Sequence, residues 1–253
     1  MTSSGADSRT EILARLRRVL EDSRPLFRGE SGILEPDIPT PVTSGDGDRL
    51  ALAELFGAKL TAVAGSYEIV EHTAEVPARI LQRIEEWTSV DHDPAAERDA
   101  TLTQVLSWAP DELPVAGIDR YLDDAGISLV VPDDLHDESS RERAASSAVG
   151  LTGVDAAFAG TGSVVLGAAP GKSRAASLLP LHHLMLVPVR AIYPTLEAWL
   201  QALRRDGRLE EYLRQSAQIV FVTGPSKSAD IELNLTLGVH GPRVVHAIVF
   251  DDS

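Results

Sequence analysis

The chain has 253 residues and no cysteine, and its 38 acidic against 23 basic side chains give a formal net charge of -15. At that length a folded chain buries roughly 70–75% of the surface its unfolded form exposes, so neither disulfides nor a structural metal is needed for stability. Zero cysteine excludes iron–sulfur ligation, thiolate zinc sites and thiol nucleophiles within this chain, and an acidic balance without a Lys/Arg cluster argues against nucleic-acid binding.

The N-terminus, Met1 to Ser8, is polar and lacks the basic start and apolar run of a signal peptide. Thr10 is placed to cap an amphipathic helix carrying Ile12, Leu13, Leu16, Val19 and Leu20, which Pro25 ends. From Gly29 to Asp48, Pro36, Pro39, Pro41 and the Ser44–Gly47 run predict a long surface loop. The expected organisation is therefore a 1–48 extension followed by one α/β domain over 49–253. Arg49 to Phe56 reads as a helix, Leu60 to Ala64 as a short strand, and Val76 to Trp87 as a helix with Pro77 in its first turn. A charged loop over Asp91 to Asp99 separates these from a buried strand at Gln104 to Trp108. A helix at Val115 to Ala125, a strand at Ile127 to Val131 and a helix at Ser139 to Val149 follow.

Two apolar runs, Ala156–Ala159 and Val164–Leu166, flank Gly160-Thr161-Gly162-Ser163 and predict a β-hairpin. His183 to Val189 reads as a strand, Pro194 to Leu203 and Leu209 to Gln215 as helices, and Ile219 to Thr223 and Val244 to Phe250 as strands. Strands alternating with helices imply an open, mainly parallel α/β sheet. No stretch approaches the ~20 apolar residues of a membrane span, so a cytoplasmic protein is expected.

Gly167 to Ser173 looks like a phosphate-binding loop but has three residues between its glycines where a P-loop has four, and Pro180 leaves no room for the long helix that must follow. Its Lys172 then reads as a mobile lysine on an exposed loop. Ile219 to Thr223 runs into Gly224-Pro225-Ser226-Lys227-Ser228-Ala229-Asp230, a strand entering a glycine turn with serines suited to cap a helix, where α/β sheets bind anions. Beyond it Ile231, Leu233, Leu235 and Leu237 alternate with polar residues, favouring a strand, while the serines and Gly238 favour a helix. The helix is the expected form. His182 and His183, if on a strand, point to opposite faces, so only one can join a given site. No histidine spacing supports a metal centre. His240, before Gly241-Pro242, is either a general base or a turn residue.

Taken in order, Asp155 to Leu166, Arg174, Ser177 to His182, Gly224 to Glu232 and Gly238 to Pro242 closely resemble the LUD-domain family, over about residues 140–250. The resemblance implies a Rossmann-like fold related to the sugar-phosphate isomerase and CoA-transferase superfamily. It also implies participation in oxidation of L-lactate to pyruvate beside partner proteins that carry iron–sulfur clusters. The cysteine-free chain, expected to hold no cofactor itself, fits that division of labour. The family usually carries an acidic residue where this chain has Gly160, which leaves no carboxylate there for covalent acyl transfer.

The expected ligand is a small carboxylate or phosphate. Arg174 would offer a bidentate donor, Gly162 and Ser163 a close backbone approach, His182, Ser226 and Ser228 polar contacts, and Asp230 or His240 proton transfer. Arg174 in a surface salt bridge, and Ser226, Ser228 and Asp230 as a helix cap, are the structural alternatives. Two other functions stay open: a self-sufficient enzyme acting on a phosphorylated or acyl-CoA substrate, and a regulatory binding module.

Overall fold

The computed structural model of the protein describes residues 13–15, 17, 18, 49–90, 104–132, 137–229, 235–238 and 240–252. The chain divides into two units at Thr40 and Pro41. In the first, residues 13–15, 17 and 18 are helical, within the helix expected there. The expected loops over Gly29–Asp48 and Asp91–Asp99 lie outside the described residues.

The second unit is built on a six-stranded parallel sheet of β1 (Ser66–Val70), β2 (Gln104–Ser107), β3 (Ser128–Val130), β4 (Val149–Thr152), β7 (His182–Pro188) and β12 (Val244–Phe250). Their spatial order is β1-β12-β7-β4-β2-β3. Every residue of β7 is buried, as is β12 beyond Val244, so both read as near-continuous apolar runs, the signature of parallel strands covered on both faces. Alternation fixes what each face meets. Glu68 and His182 face α2 (Val76–Val90), where they touch Arg83 and Trp87. Tyr67 lies opposite Gly57 of α1 (Arg49–Ala62), and Gly150 lies under α5 (Ala175–Leu178) on that other face. A Cβ at Gly150 would stand 1.8 Å from the Ala176 carbonyl oxygen, so only glycine lets α5 sit this low on the sheet. Two shorter helices, α3 (Ile118–Asp124) and α4 (Glu138–Ser146), complete the crossovers around β3.

A second sheet, order β8-β5-β6-β9, contains the expected hairpin, β5 (Ala156–Phe158) and β6 (Ser163–Ala168), joined by β8 (Ile192–Tyr193) and β9 (Gln218–Val222). Ala157, Val164 and Leu166 enter the main core. Ala156, Phe158 and Val165 form a smaller core with Trp199 and Leu203 of α6 (Leu196–Arg205) and Tyr212 of α7 (Leu209–Gln215). Thr195 caps α6 by accepting the Ala198 N–H at 3.3 Å. Among the described residues no helix is long and apolar enough to cross a membrane.

Three local expectations are corrected. The strand expected at Leu60–Ala64 is the end of α1: Gly65 N–H donates to Leu60 O at 3.0 Å and Ala64 N–H to Thr61 O at 2.9 Å, a Schellman closure with Ala64 at φ 73°. The strand comes later, as β1. Because an L-residue in that conformation is strained where glycine is not, Ala64→Gly is expected to raise stability by about 0.5–1 kcal/mol in urea denaturation.

The helix expected after Gly224 is a hairpin of β10 (Lys227–Ala229) and β11 (Leu235–Leu237), with Lys227 opposite Leu237 and Ser228 opposite Thr236. The two-residue alternation outweighs the capping signals, so Ser226 and Ser228 cap no helix. Third, the helix expected to reach Val149 stops at Ser146, and Val149 opens β4 between β2 and β7.

Candidate functional site

Open α/β sheets bind ligands outside the carboxyl ends of their strands, where neighbouring strands send their connections in opposite directions. Here that point falls between β2 and β4: the chain leaves β2 outward to the edge strand β3 and leaves β4 inward toward β7. The carboxyl ends deliver Ser107-Trp108 and Thr152-Gly153. Trp108 N–H donates to Leu151 O at 3.2 Å, and a Cβ on Gly153 would stand 3.3 Å from the Trp108 ring, so glycine admits the indole.

Asp155 follows immediately and is bound from three sides. It accepts from Gly167 N–H at 2.5 Å and Tyr212 Oη at 3.0 Å, and pairs with Lys172 Nζ at 3.2 Å. Burial, then the Asp155 charge, pushes the Tyr212 phenol well above its ordinary range, so it stays a donor. Lys172 also reaches Glu112 at 3.5 Å and stands 5.0 Å over the Trp108 ring. The P-loop-like stretch is a tight turn: Lys172 N–H donates to Ala169 O at 2.9 Å, with Pro170-Gly171 at the corner and Gly171 at φ +76°. That turn folds Lys172 back onto the sheet, which corrects its reading as a mobile lysine.

Arg174 shares a narrow cleft with Trp108, Lys172 and Ser177. Its Nη1 donates to the Gln218 side-chain oxygen, and among the described residues no carboxylate pairs with it. The surface salt bridge considered for Arg174 is therefore absent among those residues. The cleft thus joins a neutralised lysine to a guanidinium whose only side-chain partner among the described residues is an amide.

The other residues expected at a site fall in two neighbourhoods. Around the end of α1, Gly162 has φ +66° and a Cβ there would lie 2.3 Å from the Leu60 nitrogen, so its glycine serves packing. Ser163 Oγ pairs with Thr223 Oγ1 at 2.7 Å. Ser226 N–H donates to Pro242 O at 2.8 Å, tying the hairpin base to the turn that carries exposed His240. Ser228 lies in β10, and Asp230 lies outside the described residues.

At the amino edge of the sheet, His182 is buried and stacked on Trp87 with ring centroids 4.8 Å apart. His183 points to the opposite face, as the strand period requires, with Nε2 2.9 Å from Thr152 Oγ1. Among the described residues no group of three or more His, Asp or Glu side chains gathers to hold a metal. Gly160 N–H donates to Pro194 O at 3.0 Å.

Sequence reasoning missed Trp108, Asp155, Lys172 and Tyr212 as one cluster. The Ala-Pro-Gly-Lys turn was the available signal, because a Pro-Gly corner returns the next side chain over the strand it left.

The LUD domain family matches residues 53–250. The chain is 43% identical over 118 residues to Lactate utilization protein C of Exiguobacterium sp., covering 45% of this chain and 49% of that protein. It is 34% identical over 149 residues to Lactate utilization protein C of Shouchella clausii, covering 59% and 63%. A third, from Anoxybacillus flavithermus, is 31% identical over 172 residues, covering 65% and 74%. The chain thus spans about half the length of the first relative and less than two thirds of the second. A crystal structure of a DUF162 family protein from Deinococcus radiodurans at 1.70 Å resolution shares the fold, with TM-score 0.52 and 18% identity over 80% of this chain and 98% of that one. With the family match running from α1 through β12 and the sheet just described beneath it, the chain belongs to the LUD-domain family.

Proposed function

We propose that this chain serves lactate utilization as its cluster-free subunit, holding L-lactate or its oxidation product pyruvate in the cleft at Arg174 while iron–sulfur partner proteins accept the electrons. The curated relatives named Lactate utilization protein C support the process. The observation that carries the binding role is the Arg174 guanidinium, without a carboxylate partner among the described residues, beside Lys172 at the sheet's switch point. A planar fork of donors matches a carboxylate, and in a chain of net charge -15 a small anion is retained only where local cations offset the field. The cleft is narrow, so the ligand displaces the Gln218 contact. Asp155, Glu112 and Tyr212 hold Lys172 in place beside it. With no cysteine, the chain hosts no cluster, and a cytoplasmic location where lactate and partners meet completes the proposal.

Thermal denaturation tests the binding role. A ligand at about 100 times its Kd stabilises the folded state by about 2.7 kcal/mol, so L-lactate or pyruvate should raise the midpoint. Arg174→Ala should lose about 1.5–3 kcal/mol of that binding, the worth of a charged hydrogen bond. An unchanged ligand-induced shift in Arg174→Ala would remove Arg174 from the site.

A further inference from the structure

Outside the cleft, the amino edge of the parallel sheet brings together a serine, a histidine and a glutamate. Ser66 and Glu68 stand two apart on the edge strand β1, and the register sets Ser66 directly opposite His246 of β12, so all three share one face. His246 Nδ1 lies 2.7 Å from Ser66 Oγ, and its Nε2 lies 3.0 Å from Glu68 Oε1. Ser66 is solvent-exposed while the His246 ring is buried.

We propose that Ser66 is a nucleophile activated by His246 and Glu68, forming a second site that cleaves small carboxylic esters. The proton positions follow from the partners. Hydrogen bonding from His246 and Arg83 holds the Glu68 carboxyl below its usual range despite partial burial, so it is ionised and can only accept. Nε2 must therefore carry its proton toward Glu68, which leaves the Nδ1 lone pair facing Ser66. The serine hydroxyl then donates to a ring nitrogen whose opposite N–H is held by a carboxylate. That is the nucleophile, base and orienting-acid arrangement, with the two ring nitrogens exchanged. The competing acceptor for the hydroxyl, Val245 O, is farther away at 3.4 Å. Arg83 Nη2, 3.2 Å from Glu68, fixes the carboxylate, and Trp87, edge-on to His246 at 6.3 Å, walls the imidazole from water.

The Gly224–Lys227 stretch packs onto the turn that leads into this serine. Lys227 Nζ donates to Val63 O at 2.7 Å, and a Cβ on Gly224 would stand 2.7 Å from that same oxygen. In the reaction, Ser66 Oγ bonds to the ester carbonyl carbon as its proton passes to Nδ1. The C–O bond to the alcohol breaks, and the departing oxygen takes that proton. Water then attacks the acyl-serine, giving one proton to Nδ1 that returns to Ser66 Oγ as the carboxylic acid leaves. Glu68 stays ionised throughout.

The test uses the full chain with a fluorophosphonate probe, the modified peptide mapped by mass spectrometry, and p-nitrophenyl acetate hydrolysis followed by released nitrophenolate. Ser66 should be modified ahead of every other serine, and Ser66→Ala, at an exposed position that should fold, should abolish both signals. Glu68→Gln should lower the labelling rate by about a hundredfold, the worth of a positioned base, because an amide no longer dictates which ring nitrogen is protonated. His246→Gln should do the same where circular dichroism shows it folded, and Glu68→Gln decides the matter where it is not. Labelling of Ser66 no faster than other exposed serines, or at the wild-type rate in Glu68→Gln, would overturn the proposal.

Discussion

Acidification from pH 7 toward pH 3 is expected to remove on the order of 4 kcal/mol of folding stability through one side chain, His183. Complete burial near the amino end of β7 lowers its pKa from 6.5 to about 3. Its Nε2 pairs with buried Thr152, and its Nδ1 has no hydrogen-bond partner among the described residues. Since the folded state holds the neutral ring and the unfolded chain titrates near 6.5, the contribution is complete above pH 6.5. It falls by about 1.4 kcal/mol for each unit below that until the folded pKa is reached. Urea denaturation of wild type and His183→Gln at several pH values between 7 and 4 isolates the term, because the glutamine titrates in neither state. The variant should show a shallower acid slope by that amount. Parallel slopes would mean that His183 is hydrated or paired in solution.

Removing Asp155 is expected to cost about 3–5 kcal/mol, the penalty for breaking a largely buried pair by deleting one partner. Its carboxylate side chain is 12% exposed and Lys172 is 24% exposed, so solvent screens the pair only in part. Asp155→Ala also strands the Gly167 N–H and the Tyr212 hydroxyl, which otherwise join β6 and α7 to the strand end. The loss should appear as a lower urea midpoint, with the small core under Trp199 loosening first. Asp155→Asn keeps the shape and one acceptor, so it should cost less. Equal stability of Asp155→Ala and wild type would show that the cluster contributes nothing to the fold.

How far the sequence carried this picture depends on what each residue pattern encodes. The runs in β7 and β12 were legible because strands buried on both faces are apolar without interruption, and the opposite facing of His182 and His183 followed from the strand period alone. β4 escaped notice because Gly150 interrupts it, a residue demanded by the Ala176 carbonyl and invisible without the fold. β1 was displaced by six residues because Ala64, not a glycine, takes the left-handed closing position of α1. The strand expected at Ile219–Thr223 is β9, yet its apolar run does not name a partner, and its pairing with β6 removes it from the parallel sheet. Beyond it Ser226 and Ser228 enter a hairpin, so they do not stand at the helix N-terminus expected for them. Arg174 was chosen for its chemistry and does face a cleft, whereas Asp155, which pairs with Lys172 of the cleft wall, and Tyr212, which binds Asp155, are 57 positions apart and meet only in the fold.

The central claim, a cluster-free chain that acts in lactate oxidation through partners, is tested most directly by reconstitution. Iron–sulfur proteins of the kind proposed as its partners are purified and mixed with L-lactate and an electron acceptor, with and without this protein, and pyruvate is measured. Pyruvate should form only in the complete mixture, this chain alone should be colourless and inactive, and Arg174→Ala should reduce the rate. Undiminished pyruvate formation without this chain, or lactate oxidation by this chain on its own, would contradict the account.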